Sequence, residues 1–190
     1  MYLFFDTETT GIPKNYQAPL SNLSNWPRLV QLAWILTDKT GAEHKSSEYI
    51  IKPHKFSIPH DAARIHGITT DIARQVGLNL KQVLDEIIID ISKAVVLIAH
   101  NMQFDERIVG AEFLRLGYQN YFENKNKKCT MQSSTNLCRI PGPYGYKWPK
   151  LQELHQKLFK KQYDNAHRAL DDVRACAKCY FELRRRGIMA

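Results

Sequence analysis

The stretch FFDTETTG, residues 4–11, places two carboxylates, Asp6 and Glu8, at the end of a run of bulky apolar residues. The segment Tyr2–Phe5 predicts a strand that is buried on both faces. Side chains two positions apart on a strand point to the same side of the sheet. Two carboxylates about 4 Å apart repel each other by roughly 4 kcal/mol at an effective dielectric constant near 20. A buried strand that ends in this way therefore predicts a positively charged partner for both acids.

Length and composition indicate one basic, globular domain. The chain has 190 residues, 44% of them hydrophobic, and 27 Lys and Arg against 19 Asp and Glu give a formal net charge of +8. This charge favours a polyanionic partner, although a basic surface can also serve solubility alone. No apolar run reaches the roughly 18 residues of a membrane span, and Met1–Phe5 is too short for a signal peptide. We therefore expect a cytoplasmic protein with a single domain, residues 1–190.

The order of the predicted elements indicates an α/β fold. Three strands in succession predict an antiparallel meander, and later strands alternate with helices, which predicts parallel pairing. We therefore expect one mixed five-stranded sheet flanked by helices, with residues 12–27 as a long loop. The predicted strands are residues 2–5, 28–37, the segment after the 38–41 turn up to Ile51, 94–99 and 127–131, and the predicted helices are a short one within 58–69, then 80–92, 103–116, 131–138, 150–159 and 168–186.

A third carboxylate, Asp172, lies on the apolar stripe of the last predicted helix. A carboxylate in that position must be paired with donors or must coordinate a cation. Its neighbour Asp171 falls on the charged face, where ion pairs with Arg168 and Arg174 would explain it. The stripe follows helical spacing and consists of Ala169, Asp172, Val173, Cys176, Cys179, Tyr180 and Leu183.

A fourth carboxylate, Asp105, lies in the first turn of the helix that follows the 94–99 strand. It could stabilise the helix dipole, as could Glu106 beside it. It also shares a face with apolar residues, so it leans towards the core. If Asp6, Glu8, Asp105 and Asp172 converge, only metal ions can balance them, and oxygen-only ligands favour Mg²⁺ or Mn²⁺ over zinc.

Three segments together resemble the motifs of the DEDDh 3′→5′ exonucleases, a ribonuclease H-like family that includes the DNA polymerase III epsilon subunit, ribonuclease T and oligoribonuclease. The segments are FFDTETTG (4–11), AHNMQFDERIV (99–109) and HRALDD (167–172), with HGIT (66–69) between the first two. The resemblance spans residues 4–172 and implies a ribonuclease H-like fold. It also implies two Mg²⁺ or Mn²⁺ ions held by Asp6, Glu8, Asp105 and Asp172, with His167 as the general base.

The position of His167 restricts how it can act. On a continuous helix, five residues place it about 140° away from Asp172. It therefore reaches the same site only from the loop before the helix, which YDNAH (163–167) permits. The alternative is a plain surface histidine.

Five further residues resemble positions where this family holds the terminal nucleotide. They are His66, Ile68, His100, Asn101 and Phe104. For two of these residues the sequence permits a structural role equally well. Asn101 could cap its helix, and Ile68 could belong to the core.

Other segments have a weaker bearing on function. The stretch PGPYGYKWPK (141–150) interleaves aromatic residues with lysines and could stack bases, but we expect Trp148 to be part of the core. The basic clusters 124–128, 157–161 and 184–186 could contact phosphates or be solvated faces. The C-x-x-C of Cys176 and Cys179 lies inside a predicted helix, where packing is favoured over a redox or zinc role.

The sequence therefore predicts a metal-dependent 3′→5′ exonuclease acting on single-stranded 3′ ends and releasing nucleoside 5′-monophosphates. DNA is favoured as substrate, and an RNA-trimming exoribonuclease is the alternative enzyme. A non-catalytic nucleic-acid-binding module on the same fold is the alternative from another class. A replication or repair role would require a partner chain such as a polymerase.

Overall fold

The computed structural model describes residues 1–163 and 168–189, and its central element is strand β1 (Tyr2–Thr9). The other strands are β2 (Leu29–Thr37), β3 (Glu43–Ile50), β4 (Val96–Ala99), β5 (Asn126–Cys129), β6 (Pro141–Gly142) and β7 (Gly145–Tyr146). The helices are α1 (His60–His66), α2 (Thr70–Val76), α3 (Leu80–Lys93), α4 (Met102–Arg115), α5 (Thr130–Ser133), α6 (Thr135–Cys138), α7 (Leu151–Phe159) and α8 (Ala169–Arg185).

The main sheet has five strands in the order β3-β2-β1-β4-β5. Strands β1, β2 and β3 pair antiparallel, whereas β4 is parallel to β1 and β5 is parallel to β4. The predicted mixed sheet, with an antiparallel start followed by parallel strands, is therefore confirmed.

Both faces of β1 are covered, as the apolar run Tyr2–Phe5 predicts. Leu3 and Phe5 belong to a core formed with α3 and α4, and Phe4 belongs to a second core formed with α7 and α8. The strand continues past the apolar run because β2 pairs with it as far as Thr9. Asp6 and Glu8 therefore lie on the same face as Phe4, towards α8.

The two neighbours of β1 differ in length. Strand β4 pairs with β1 only from Tyr2 to Phe4, since β4 ends at Ala99. Beyond that point β1 pairs with β2 alone. The second half of β1 therefore has one open edge, and the chain leaving β4 passes that edge as it enters α4.

Helix α8 has the apolar stripe that its spacing predicts. The seven stripe residues are all buried, including Asp172, and Cys176 and Cys179 lie among them as free thiols. Burial raises the pKa of Cys179 to about 12, so packing explains the C-x-x-C. None of the helices in the described part of the chain combines the length and apolarity that a bilayer crossing requires.

Three predictions of local structure were wrong. Helix α2 was missed, because it has only seven residues and its main start signal is the cap of Thr69, whose Oγ1 accepts from the Ile72 N–H. The helix predicted over 131–138 is interrupted at Ser134. The segment 141–146, expected to be loop, forms the hairpin of β6 and β7.

The loop of residues 12–27 is bound to α4 along much of its length. Arg107 Nη1 donates to the carbonyls of Tyr16 (2.7 Å) and Ala18 (3.1 Å). Arg115 Nη2 donates to the carbonyls of Leu23 and Trp26, both at 2.7 Å. The loop is therefore a fixed part of the fold beside β1.

A buried carboxylate, Glu112, holds the start of β2 against α4. It is fully buried and accepts from Arg28 Nε at 2.8 Å and from the backbone N–H of Leu29 at 3.0 Å. Arg115 Nη1 lies 2.8 Å from the same carboxylate. One buried negative charge is thus balanced by two guanidinium groups that are only partly exposed.

We expect Glu112→Ala to destabilise the protein by roughly 3 kcal/mol, because it leaves buried positive charge unpaired. The measurement is the urea midpoint of unfolding. The matched control is Glu182→Ala, which also removes a glutamate paired with two arginines, Arg185 and Arg186, but on the surface. Its effect should be much smaller, and equal effects of the two substitutions would contradict the structural role of Glu112.

Candidate active site

Three carboxylates from two elements meet at the end of the sheet. Asp6 and Glu8 project from β1 towards α8, and Asp172 projects back from the first turn of α8. One oxygen from each lies within 4.8 Å of the others. Asp172 is 9% exposed, and Asp6 and Glu8 are half-buried, so this group is only partly open to solvent. The structure thus brings together three of the four acids that the sequence predicts as metal ligands.

The fourth predicted acid, Asp105, approaches from the other face of the sheet. It lies in the first turn of α4, is 3% exposed and accepts from the Thr7 hydroxyl at 2.7 Å. It is outside the group of three, yet its charge raises the pKa of both Asp6 and Glu8. The open edge of β1 beyond β4 explains how a side chain from the opposite face reaches this place.

Burial and mutual repulsion perturb the ionisation of these acids. Burial, followed by the charges of Asp105, Glu8 and Asp172, raises the pKa of Asp6 well above its usual range. Burial and the charges of Asp172 and Asp105 raise the pKa of Glu8 to about 8. Burial also raises the pKa of Asp105 to about 7, although the Thr7 hydroxyl partly offsets it. The site therefore concentrates negative charge beyond what its protein neighbours balance.

This donor set fits hard divalent cations. All the converging atoms are carboxylate oxygens, which suit Mg²⁺ and Mn²⁺ rather than zinc. A bound cation would also reverse the electrostatic cause of the raised pKa values, since it favours the ionised form of each acid. The residues present are thus suited to hold metal ions.

Two residues that the sequence analysis missed position the acids. One is Thr7, the donor to Asp105. The other is Tyr163, whose hydroxyl donates to Asp172 Oδ1 at 2.5 Å. The tyrosine is fixed in turn by α7, where Gln152 Nε2 donates to its carbonyl and the His155 ring packs edge-on against its ring. The alternation along β1 could have indicated Thr7, whereas nothing in the sequence links Tyr163 to Asp172.

His167 lies outside the described residues, so its role as general base stays a prediction.

Asp171 is half-buried beside the site. The ion pair predicted between Asp171 and Arg174 was wrong, because Arg174 forms a bidentate pair with Glu43 of β3 at 2.9 and 3.1 Å. The difference arises because β3 passes next to α8, which the helix pattern alone does not indicate.

A pocket of about 350 Å³ adjoins Glu8. Two of the predicted substrate-binding residues, His66 and Phe104, line it together with the exposed side chains of Ile12 and Ile65. His66 Nδ1 accepts from the backbone N–H of Ile68 at 3.1 Å, which fixes its ring at the pocket. The pocket is mostly apolar and opens beside Glu8, one of the three converging carboxylates.

The other three predicted substrate residues differ in their surroundings. Asn101 occupies the N-cap position of α4, but its side chain makes no capping hydrogen bond within the described chain. Ile68 is buried in a small core with Val30 and Ile58. The His100 ring is engaged at both nitrogens, by Thr130 Oγ1 and by the Pro149 carbonyl, each at 2.9 Å. Contact of these residues with substrate stays a prediction.

A larger cavity, about 460 Å³, lies elsewhere, between the end of β3, the start of α3 and the end of α4. Its lining includes Arg28, Lys52, Lys55 and Arg115 but none of the carboxylates that could hold a metal. Size alone does not decide where the chemistry occurs, so we place the candidate active site at the carboxylates.

Comparison with known proteins agrees with this geometry. The model of the RNase T family, described as exonuclease, matches residues 3–180 of the chain. The chain belongs to this family. Together with the acidic residues on β1, α4 and α8, this makes the protein a DEDDh-type exonuclease with the ribonuclease H-like fold that its motifs predict, and hence a nuclease.

One relative is the DNA polymerase III subunit epsilon of Treponema pallidum (strain Nichols), 28% identical over 179 residues, which are 93% of this chain and 73% of that protein. The fold is similar to E. coli exonuclease I in complex with a dA16 oligonucleotide, with TM-score 0.77 and 22% identity over 97% of this chain and 41% of that one. Exonuclease I from Methylocaldum szegediense gives TM-score 0.75 and 21% identity over 97% and 40%. The exonuclease described here thus spans about two fifths of those solved chains.

The raised pKa of Glu8 predicts a pH-dependent stability. A carboxyl with a pKa near 4.5 when unfolded and about 8 when folded destabilises the folded state as pH rises through that interval. In chelator, Glu8→Gln should therefore gain in melting temperature relative to the parent between pH 5 and pH 8. Mg²⁺ at pH 8 should raise the melting temperature of the parent more than that of the variant.

The control for this measurement is Asp171→Asn, which removes a nearby carboxylate from outside the group of three. It should follow the pH dependence of the parent. If Glu8→Gln and the parent lose stability in parallel from pH 5 to pH 8, the repulsion among the carboxylates is not what the geometry indicates.

Proposed function

We propose that this protein is a metal-dependent 3′→5′ exonuclease that hydrolyses single-stranded DNA from its 3′ end and releases nucleoside 5′-monophosphates. The observation that carries the proposal is the convergence of Asp6, Glu8 and Asp172 within 4.8 Å in a chain of the exonuclease family. Asp105, which is buried and held by Thr7, completes the ligand set.

In this proposal the four carboxylates hold two divalent ions, Mg²⁺ or Mn²⁺, and do not themselves contact the substrate. Two such ions, bound there, would bind the scissile phosphate, lower the pKa of the attacking water and stabilise the leaving 3′-oxygen. The protein supplies the fixed geometry. Strand β1 is held by β2 as far as Thr9 and by β4 as far as Phe4, and Tyr163, which follows α7, orients Asp172.

His167 is the proposed general base. It precedes α8 in the motif HRALDD, five residues before Asp172. In its neutral form the imidazole takes a proton from the attacking water, so turnover should rise with pH through its pKa, about 6.5 when unperturbed.

The pocket beside Glu8 is the proposed site of the 3′-terminal nucleoside. Phe104 and the two exposed isoleucines offer apolar surface to a base, and His66 offers a polar group to the sugar. Because the pocket adjoins the carboxylates, the phosphate linked to a nucleoside bound there would lie over the metal site.

Two comparisons support DNA rather than RNA. One relative is a DNA polymerase III subunit, and structural neighbours are complexes with dA16 and dT13 oligonucleotides. The same relative makes a replication polymerase a proposed partner. Action on RNA 3′ ends remains the alternative, since the two substrates differ in the 2′-hydroxyl.

The direct test digests DNA and RNA strands of one sequence, each labelled at the 5′ end. We expect stepwise shortening of the DNA from the 3′ end in Mg²⁺ or Mn²⁺, slower shortening of the RNA, and no shortening in chelator. Asp6→Ala and Asp172→Ala should abolish activity, and Asp171→Ala should retain it. Loss in Asp171→Ala together with activity in Asp172→Ala would contradict the assignment of the ligands, and a parent that binds DNA without digesting it would favour the non-catalytic alternative.

His167→Ala tests the base separately. We expect turnover to fall by roughly 10²–10⁴-fold, the usual contribution of a positioned base. Metal affinity, measured by titration of Mn²⁺, should stay close to the parental value because His167 is not proposed as a ligand. Parental turnover in this variant across pH 5–9 would show that His167 is not the base.

A further inference from the structure

The hairpin formed by β6 and β7 presents exposed aromatic rings. Tyr144 at its tip is fully exposed, and the side chains of Tyr146 and Trp148 are 51% and 57% exposed. The expectation that Trp148 belongs to the core was therefore wrong. Among the described aromatic residues that are exposed, only Tyr16 lies outside this segment. Large rings seldom cluster at the surface without a binding role.

The hairpin has a defined shape. Gly145 has φ +119°, which only glycine adopts readily. A Cβ at Gly142 would lie 3.1–3.2 Å from atoms of Lys147 and Gly145, so a side chain there would crowd the turn. The Lys147 N–H closes the base of the hairpin by donating to the Ile140 carbonyl at 2.9 Å. The rings are thus held out by a fixed turn.

A chain of contacts joins the hairpin to the active site. His100 Nε2 must donate to the Pro149 carbonyl, because a carbonyl can only accept. His100 Nδ1 therefore accepts from Thr130 Oγ1, which also lies 3.6 Å from Cys176 Sγ. Cys176 is one turn along α8 from Asp172. The segment that follows the hairpin is therefore connected, through His100 just after β4 and Thr130, to α8 one turn from Asp172.

Two lysines accompany the rings. Lys147 Nζ lies 2.7 and 2.8 Å from the Glu153 carboxylate, which also accepts from the Lys150 backbone N–H at 2.7 Å, whereas Lys150 itself is exposed. Lys127 and Arg186 of the other basic clusters are likewise paired with acids, so the exposed rings, more than the lysines, distinguish this segment.

We propose that the hairpin of residues 141–148 binds bases of the single strand upstream of the 3′-terminal nucleotide, by stacking them on Tyr144, Tyr146 and Trp148. The inference rests on the proposed function, since it takes the strand to enter the active site beside β4. It favours single strands over duplex, because paired bases do not offer their faces to a protein ring.

Trp148 provides its own signal for the test. Trp26 and Trp34 are 3% and 0% exposed, so an added strand should quench chiefly the fluorescence of Trp148. A thymidine 20-mer in chelator, which prevents digestion, should produce this quenching. Trp148→Leu and Tyr144→Ala should each weaken binding of the 20-mer at least about fivefold, and Trp148→Phe, which keeps a ring, should weaken it less.

Two controls distinguish stacking from phosphate contact and from a change at the catalytic centre. The first control is a strand with normal bases at its two 3′-terminal positions and abasic sites upstream, which keeps the phosphates and removes the bases that would stack. The parent and Trp148→Leu should bind this strand with equal affinity. Hydrolysis of an aryl ester of thymidine 5′-monophosphate, which occupies only the catalytic centre, should be the same in parent and variants.

Each contrary outcome has a definite meaning. If Trp148→Leu and Tyr144→Ala both bind the 20-mer with the affinity of the parent, the hairpin is not a strand-binding site. This is the result expected if the rings bind a protein partner instead. An equal loss of affinity for the abasic strand would overturn stacking in favour of phosphate contact. If the parent neither binds nor digests the strand, the proposed function itself is overturned. If the parent digests the strand and the variants bind it with the affinity of the parent, only the role of the hairpin is overturned.

Discussion

The mutual repulsion of buried carboxylates is the interaction on which the rest of the site depends. Asp6, Glu8 and Asp172 are brought within 4.8 Å by a central strand and a packed helix, neither of which can move apart without opening a core. Burial removes the water that would otherwise screen these charges. The fold therefore holds the acids in an arrangement that a bound cation would stabilise.

The surrounding elements maintain that state from three directions. Strand β2 extends β1 past the end of β4, so that the acids stand beyond the fully paired part of the sheet. Helix α4 brings Asp105 around the open edge and is itself fastened to the start of β2 through Glu112. Helix α7 fixes Tyr163 against Asp172. Four acids from three segments that are distant in sequence thus depend on contacts that no single motif contains.

Most of the fold and of the acid set could be predicted from the sequence, because both follow from local periodicity. Alternation along β1 put Asp6 and Glu8 on one face, and helical spacing separated Asp172 from Asp171. What could not be predicted depends on contacts between distant elements. Arg174 pairs with Glu43 because β3 lies beside α8, and Tyr163 reaches Asp172 from the segment after α7.

The aromatic hairpin shows a different reason for failure. A proline- and glycine-rich segment carries no periodicity, so the sequence does not indicate which way its rings face, and the expectation of a core Trp148 rested on the usual burial of tryptophan alone. In the structure the segment forms a hairpin that turns at Gly145, with φ +119°, and Trp148 is exposed. Such local geometry is visible only once the backbone is known.

The alternation of β1 also limits how the chain can vary in length during evolution. Leu3, Phe5 and Thr7 face one helical layer, and Phe4, Asp6 and Glu8 face the other. Loss or gain of one residue within this strand would exchange the two sets, driving the acids into an apolar core and Leu3 and Phe5 towards the position of the carboxylates. Insertions and deletions should therefore be confined to places such as the exposed turn at residues 38–42. Within β1, only substitutions can separate active enzymes from inactive descendants that keep the fold.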